Sequence, residues 1–163
     1  MPIDQLGREL KDLRVSVTDR CNFRCQFCMP EGENYEFFRR EEILSFEEIA
    51  RVVRIVKGLG VKKVRLTGGE PLLRRHLEKL VALISQEVED IALTTNGFLL
   101  KDKVQDLALA GLKRVTVSLP SLRDQTLSKL VGRDVKVGQI LEGIHRSLEL
   151  GLSVKVNVCV VRD

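Results

Sequence analysis

The chain has 163 residues, 44% hydrophobic and 31% charged, with a net charge of +4 and four cysteines. That composition suits one globular domain with a single core and excludes a disordered or low-complexity chain. No apolar run approaches membrane-spanning length, no block of Lys and Arg occurs, and aromatic residues are only 4%, so neither a membrane nor a nucleic acid is an expected partner. The polar start MPIDQLGRELKD lacks the apolar core of a secretory signal, and the expected location is the cytoplasm.

LRVSVTD (13–19) reads as the first strand, and RCNFRCQFCMP (20–30), which follows it, holds three of the four cysteines at the spacing C-x3-C-x2-C. LSFEEIARVVRIVKGLG (44–60) predicts a helix. Ser45 with Glu48 three residues on forms a capping box, apolar residues recur at helical spacing, and Gly58 and Gly60 close the segment. KKVRLT (62–67) is a second strand, and TGGE leads from it into PLLRRHLEKLVALIS (71–85), predicted as one helix with Pro71 in its first turn. DIALTTN (90–96) is a third strand, DKVQDLALAGL (102–112) a helix ending at Gly111, and KRVTVSL (113–119) a fourth strand. VGQILEGIHRSLELG (137–151) is a further helix, and LSVKVNVCVV (152–161) the last strand. Strand and helix alternating four times before a final strand predict an α/β fold with a parallel sheet and right-handed crossovers.

The strands alternate in character, and side chains on a strand point to opposite faces with period two. One face collects Val15/Val17, Val64/Leu66, Ile91/Leu93, Val115/Val117 and Val154/Val156/Val158/Val160, and is expected to receive the helices. The other collects Arg14, Ser16, Thr18, Arg65, Thr67, Thr94, Asn96, Thr116, Ser118, Lys155 and Asn157. A curved parallel sheet with a polar, cationic inner face is a partial (β/α) barrel with about five strands, and in such folds the loops after the strands carry the chemistry. The cysteine run lies in the first of those loops.

Three clustered thiols in a reducing compartment point to a metal or to catalysis more than to disulfides. A cubane iron–sulfur cluster has four irons, so three cysteines leave one iron open to a ligand. A structural zinc site is the other reading of the spacing; it would need a fourth ligand from Cys159, His76 or His145. Both stay open on spacing alone.

The cysteine spacing, with Phe27 before the last cysteine, and RLTGGEPLLR after the second strand together resemble the radical S-adenosyl-L-methionine (SAM) superfamily. The resemblance implies that Cys21, Cys25 and Cys28 hold a [4Fe–4S] cluster whose fourth iron is chelated by SAM. It also implies that reductive cleavage of SAM yields a 5′-deoxyadenosyl radical, with the one electron coming from a donor such as flavodoxin or ferredoxin. Gly68, Gly69 and Glu70 fall on the family's glycine-rich motif, where the absence of a Cβ lets backbone approach a ligand. DLRVSVTDRCNFRCQFCMPEG, GVKKVRLTGGEPLLRR, LTTNGFLL, AGLKRVTVSL and GLSVKVNV narrow the resemblance to the N-terminal half of the GTP-cyclase family of molybdenum cofactor biosynthesis. By position, Arg14, Arg65, Thr94 and Lys155 are then expected to contact GTP or a related nucleotide, and Phe27, Gly69 and Ser118 to contact SAM.

Two departures qualify the resemblance. Pro120 stands where that family commonly has Asp, and the family continues to a sixth strand and a second, cluster-bearing domain. Residues 1–163 are therefore expected to form a shortened radical SAM core without the second-cluster domain. A different radical SAM activity, or a cluster- and SAM-binding subunit that shares its site with a partner, is the alternative, and a homo-oligomer is compatible with either.

Overall fold

The computed structural model describes residues 3–161, and in it the alternating segments become five parallel strands in the order β1-β2-β3-β4-β5. They are β1 (Asp12–Ser16), β2 (Lys63–Thr67), β3 (Asp90–Thr95), β4 (Arg114–Ser118) and β5 (Ser153–Asn157). Five helices connect them: α1 (Phe46–Gly58), α2 (Leu77–Ser85), α3 (Leu100–Leu109), α4 (Asp124–Val131) and α5 (Val137–Glu149). The sequential order means that each crossover returns the chain beside the strand it left, the arrangement for which a right-handed connection is the rule.

The helix-facing side is the core. Val64, Leu66, Ile91, Leu93, Val115 and Val117 are buried there against Val53 of α1, Leu80 and Ile84 of α2, Val104 and Leu107 of α3, and Ile140 of α5. Full burial of each such side chain contributes about 1.5–3 kcal/mol. The α1 start has the capping box read from sequence: Ser45 Oγ accepts the Glu48 N–H at 3.1 Å, and Glu48 Oε2 accepts the Ser45 N–H at 2.7 Å. Among the described residues no helix is long and apolar enough to cross a membrane.

The structure differs from the sequence reading in three places. The segment 71–85 is not one helix: Pro71–Leu73 makes a single 3-10 turn, the chain breaks at Arg74–His76, and α2 begins only at Leu77. The break has a cause, because Arg74 turns its guanidinium back to donate to the carbonyls of Val17 and Leu44, and His76 takes a left-handed conformation, φ 58°, at the helix start. A second difference is α4, which has no counterpart among the predicted helices. It is only eight residues long, with Leu127 and Val131 buried and Gly132 (φ 63°) closing it. The third is β5, which ends at Asn157, so that Val158, Val160 and Cys159 lie beyond the ladder. Val156 and Val158 are exposed, so the helix side of the last strand is not covered there as expected.

Candidate site for an iron–sulfur cluster and its ligands

The chain leaves β1 through Val17, whose N–H still donates to Thr67 O at 2.9 Å, and enters the cysteine loop. Cys21 and Cys25 are half-buried and Cys28 is exposed. The N–H groups of Cys28 and Met29 both donate to the Cys25 carbonyl, at 3.0 and 2.9 Å, closing a tight turn between the second and third cysteines. Burial pushes the Cys25 thiol up to about 11, and the negative charge of Cys21 and then Cys28 adds to that, so the three sulfurs feel one another. Cys21 is raised as well, again chiefly by burial.

Two neighbouring loops and the end of α4 hold this loop in place. On one side, Gly69 N–H donates to Thr18 O and Glu70 N–H to Arg20 O, both at 2.8 Å. A Cβ on Gly68 would collide with the Thr18 carbonyl oxygen, and one on Gly69 with that of Arg20. Only glycine permits so close a backbone approach, so the first physical role of this motif is to seat the cysteine loop. From the loop after β3, Asn96 Nδ2 donates to Asn22 Oδ1 at 2.8 Å, and Phe98 meets the buried Phe23 edge to face, centroids 5.9 Å apart. From α4, Val131 O accepts the Arg24 N–H at 2.8 Å and Leu130 O the Gln26 N–H at 3.0 Å. The helix missing from the sequence reading thus buttresses the cysteines; Gly132 and the Leu127/Val131 pair one turn apart were its only sequence signals.

Glu70 is 1% exposed, and its carboxylate accepts from Leu72 N–H (3.0 Å), Thr95 Oγ1 (2.7 Å) and Asn96 N–H (2.7 Å). Burial raises its pKa, and these three hydrogen bonds oppose the shift. Its side chain thereby ties the loop after β2 to the loop after β3. Phe27 is 44% exposed at the loop tip, Gly69 is exposed, and Ser118 is half-buried at the end of β4 in register with Asn157. Beyond Ser118 the ladder gains one more bond, Leu119 N–H to Asn157 O at 3.0 Å, and stops at Pro120, which has no N–H to give.

The polar face carries the four residues expected at the substrate. Arg14 pairs in register with Arg65, and Thr94 with Thr116, which in turn pairs with Lys155. Arg65 Nη1 donates to Thr94 Oγ1 at 3.2 Å and Thr116 Oγ1 at 3.0 Å, so its guanidinium is spread across the middle of the sheet. Arg14 and Lys155, on the two outer strands, are exposed. A cleft of about 260 Å³ opens at the strand ends away from the cysteines, lined by Asp12, Arg14, Lys63, Arg65, Ala92 and Arg114. Arg114 is paired there with Asp90 at 2.8 Å, which leaves Arg14 and Arg65 without a carboxylate among the described residues.

The donor set fits a cubane. In such a cluster each thiolate binds a different iron, so the sulfurs need not converge on one point. Among the described residues no three His, Cys, Asp or Glu side chains are placed to hold a single metal ion. His76 and His145 are both exposed, and His76 faces Glu78 at 3.3 Å. Cys159 is exposed just beyond β5.

Residues 15–163 match the family profile described as the Radical SAM superfamily. The chain is 52% identical to GTP 3′,8-cyclase of Aquifex aeolicus (strain VF5), over 99% of this chain and 51% of that protein. It is 50% identical to GTP 3′,8-cyclase of Staphylococcus epidermidis, over 96% of this chain and 48% of that protein. The chain thus spans about half the length of these relatives. Two solved structures share the fold: SuiB of Streptococcus suis bound to S-adenosylmethionine, with TM-score 0.74 and 22% identity over 95% of this chain and 33% of that one, and methylornithine synthase, with TM-score 0.68 and 18% identity over 93% and 45%. With the family profile covering the cysteine loop, β2 to β5 and the end of β1, the chain belongs to the radical SAM superfamily, whose enzymes use a [4Fe–4S] cluster and SAM.

Proposed function

We propose that this chain is the cluster-, SAM- and nucleotide-binding half of a GTP 3′,8-cyclase, acting in molybdenum cofactor biosynthesis. The observation that carries the reading is the placement of the cysteine loop at the end of a parallel sheet whose polar face presents Arg14, Arg65 and Lys155. Cys21, Cys25 and Cys28 would hold the [4Fe–4S] cluster, with Phe27, Gly68, Gly69 and Ser118 around SAM and Glu70 fixing the loops. Bound there, the cluster and SAM would supply one-electron reductive radical chemistry for hydrogen abstraction from GTP, and the role of these residues would be to hold the two groups side by side. Arg14, Arg65 and Lys155 would bind the triphosphate, for which guanidinium and ammonium groups are suited donors, and Thr94 would contact the nucleotide beside them. Small acidic carriers such as flavodoxin or ferredoxin are the proposed electron source, and the cytoplasm the proposed location.

The test is electron paramagnetic resonance of the anaerobically reconstituted, reduced protein with and without SAM, together with GTP binding by calorimetry. A cubane signal that changes on adding SAM, and GTP affinity that falls on replacing Arg65, support the reading. A signal indifferent to SAM overturns the cofactor assignment, and GTP affinity unmoved by Arg14, Arg65 and Lys155 substitutions overturns the substrate.

A further inference from the structure

Two guanidinium groups cap three consecutive carbonyls of the cysteine loop. Arg24 Nη1 donates to the carbonyls of Cys21 (2.9 Å) and Phe23 (2.8 Å), and Arg133 Nη1, from beyond α4, donates to that of Asn22 (3.2 Å). Arg133 is also stacked on the Phe98 ring, 4.3 Å from its centroid. Every partner of these two cations is neutral, and among the described residues neither forms an ion pair with a carboxylate. An arginine held in place by carbonyls and an aromatic ring keeps its full positive charge available to its surroundings. The surroundings here are the peptides between the first two cysteines.

The orientation of those peptides matters as much as the charge. The carbonyls of residues 21–23 turn their negative ends to the arginines, while the Phe23 N–H approaches Cys21 Sγ at 3.4 Å. Amide N–H groups facing thiolate sulfur and nearby positive charge act in the same direction on a redox centre. A cubane held by three thiolates is anionic, and one-electron reduction adds a further negative charge. Net charge and hydrogen bonds to sulfur are among the levers that set the potential of such clusters.

We infer that Arg24 and Arg133 form a cationic bracket on the cysteine loop that raises the reduction potential of the cluster bound there. Their assigned role is to position the loop and supply charge, through contacts with protein groups. The inference rests on the reading that Cys21, Cys25 and Cys28 hold a [4Fe–4S] cluster.

The experiment is a potentiometric titration of the reconstituted protein followed by electron paramagnetic resonance, without SAM, in the parent and in Arg133→Gln, Arg133→Lys and Arg24→Gln. Glutamine keeps an amide donor for the carbonyl and removes the charge; lysine keeps the charge and loses the planar fork. The glutamine variants are expected to take up the parental amount of iron and to show a potential shifted to more negative values. Arg133→Lys is expected to lie close to the parent. Glutamine variants that keep their iron and show the parental potential overturn the inference, as does a lysine variant shifted as far as the glutamine one. If Arg24→Gln fails to retain iron, the exposed Arg133 pair decides the matter. A parent protein that takes up no cluster is a separate failure, of the proposed function itself, visible before any variant is made.

Discussion

Glu70 Oε2 accepts the Asn96 N–H at 2.7 Å while Oε1 accepts the Thr95 hydroxyl at 2.7 Å, so one buried carboxylate joins the loop after β2 to the loop after β3. Asn96 then passes the connection on to Asn22, between Cys21 and Cys25, through its side-chain amide. The cysteine loop is therefore positioned by a chain of hydrogen bonds that starts two loops away.

Removal of that carboxylate has a direct consequence. Glu70→Ala leaves the Leu72 N–H, the Asn96 N–H and the Thr95 hydroxyl without their acceptor, and unsatisfied buried donors cost about 1–3 kcal/mol each before relaxation. A loss of about 3 kcal/mol in urea unfolding is expected, with Glu70→Gln intermediate. The pH dependence has a defined sign. Burial raises the folded pKa above the ordinary 4.5, so between the two values the folded chain holds a proton that the unfolded chain has released. The stabilisation from this group is full below the unfolded pKa and is lost as pH rises through the folded one. The stability of the parent relative to Glu70→Gln should therefore fall as pH is raised through that window; a difference that is flat with pH would contradict the assignment.

Gly68→Ala and Gly69→Ala make a sharper structural test. Each added Cβ would meet the backbone of the cysteine loop, at the Thr18 and Arg20 carbonyls, and Gly68 also has φ 142°, which alanine rarely adopts. Backbone cannot yield as a flexible side chain does, and a cost of about 2–4 kcal/mol is expected from overpacking and strain. Because the displaced segment carries Cys21, iron uptake after reconstitution should fall together with the unfolding midpoint. Gly138→Ala, where nothing lies within 4 Å of the added carbon, is the matched control and should leave iron uptake unchanged.

What could be read from the sequence followed from local periodicity. The five strands and the two faces of the sheet came from period-two alternation, and the parallel pairing from the alternation of strands with helices closed by glycines. Arg65 and Thr94 were placed on one face by parity alone, and the structure joins them by a hydrogen bond at 3.2 Å. What escaped was set by tertiary contact. The break at Arg74–His76 exists because a guanidinium reaches the carbonyls of Val17 and Leu44, distant in sequence. The short α4 is stabilised where it meets the cysteine loop, and Val137 N–H is held by Asp124 Oδ1 at 2.9 Å across the turn to α5. The bracing of two loops by the buried Glu70 carboxylate was likewise not legible, since its donors are set by the fold: two come from the end of β3 and the loop after it.

The four cysteines should separate cleanly. Cys21→Ser, Cys25→Ser and Cys28→Ser each remove a soft ligand for which a hydroxyl is a poor replacement, and iron per chain after reconstitution should fall to background in all three. Cys159→Ser should retain the parental iron content. Equal loss of metal in Cys159→Ser would instead indicate a four-thiolate site. Thiol alkylation of the cluster-free protein offers a second measurement: the exposed Cys28 and Cys159 should react before the half-buried Cys21 and Cys25, and Cys25, pushed up to about 11, should gain reactivity only as pH approaches that value.

The nucleotide face predicts a difference between its central and outer cations. Arg65 is half-buried and held by Thr94 and Thr116, so its charge is screened little by salt, whereas Arg14 and Lys155 stand exposed on the outer strands. Each charge-assisted hydrogen bond to phosphate is worth about 1.5–3 kcal/mol, or roughly ten- to a hundredfold in affinity. Arg65→Met should therefore weaken GTP binding by at least about tenfold at both low and high salt. Arg14→Met and Lys155→Met should weaken it at low ionic strength and progressively less as salt is added. Binding of GTP, GDP and guanosine by calorimetry over a salt series checks this. If guanosine binds as tightly as GTP, or if the three substitutions share one salt dependence, the cations serve the sheet and not a triphosphate.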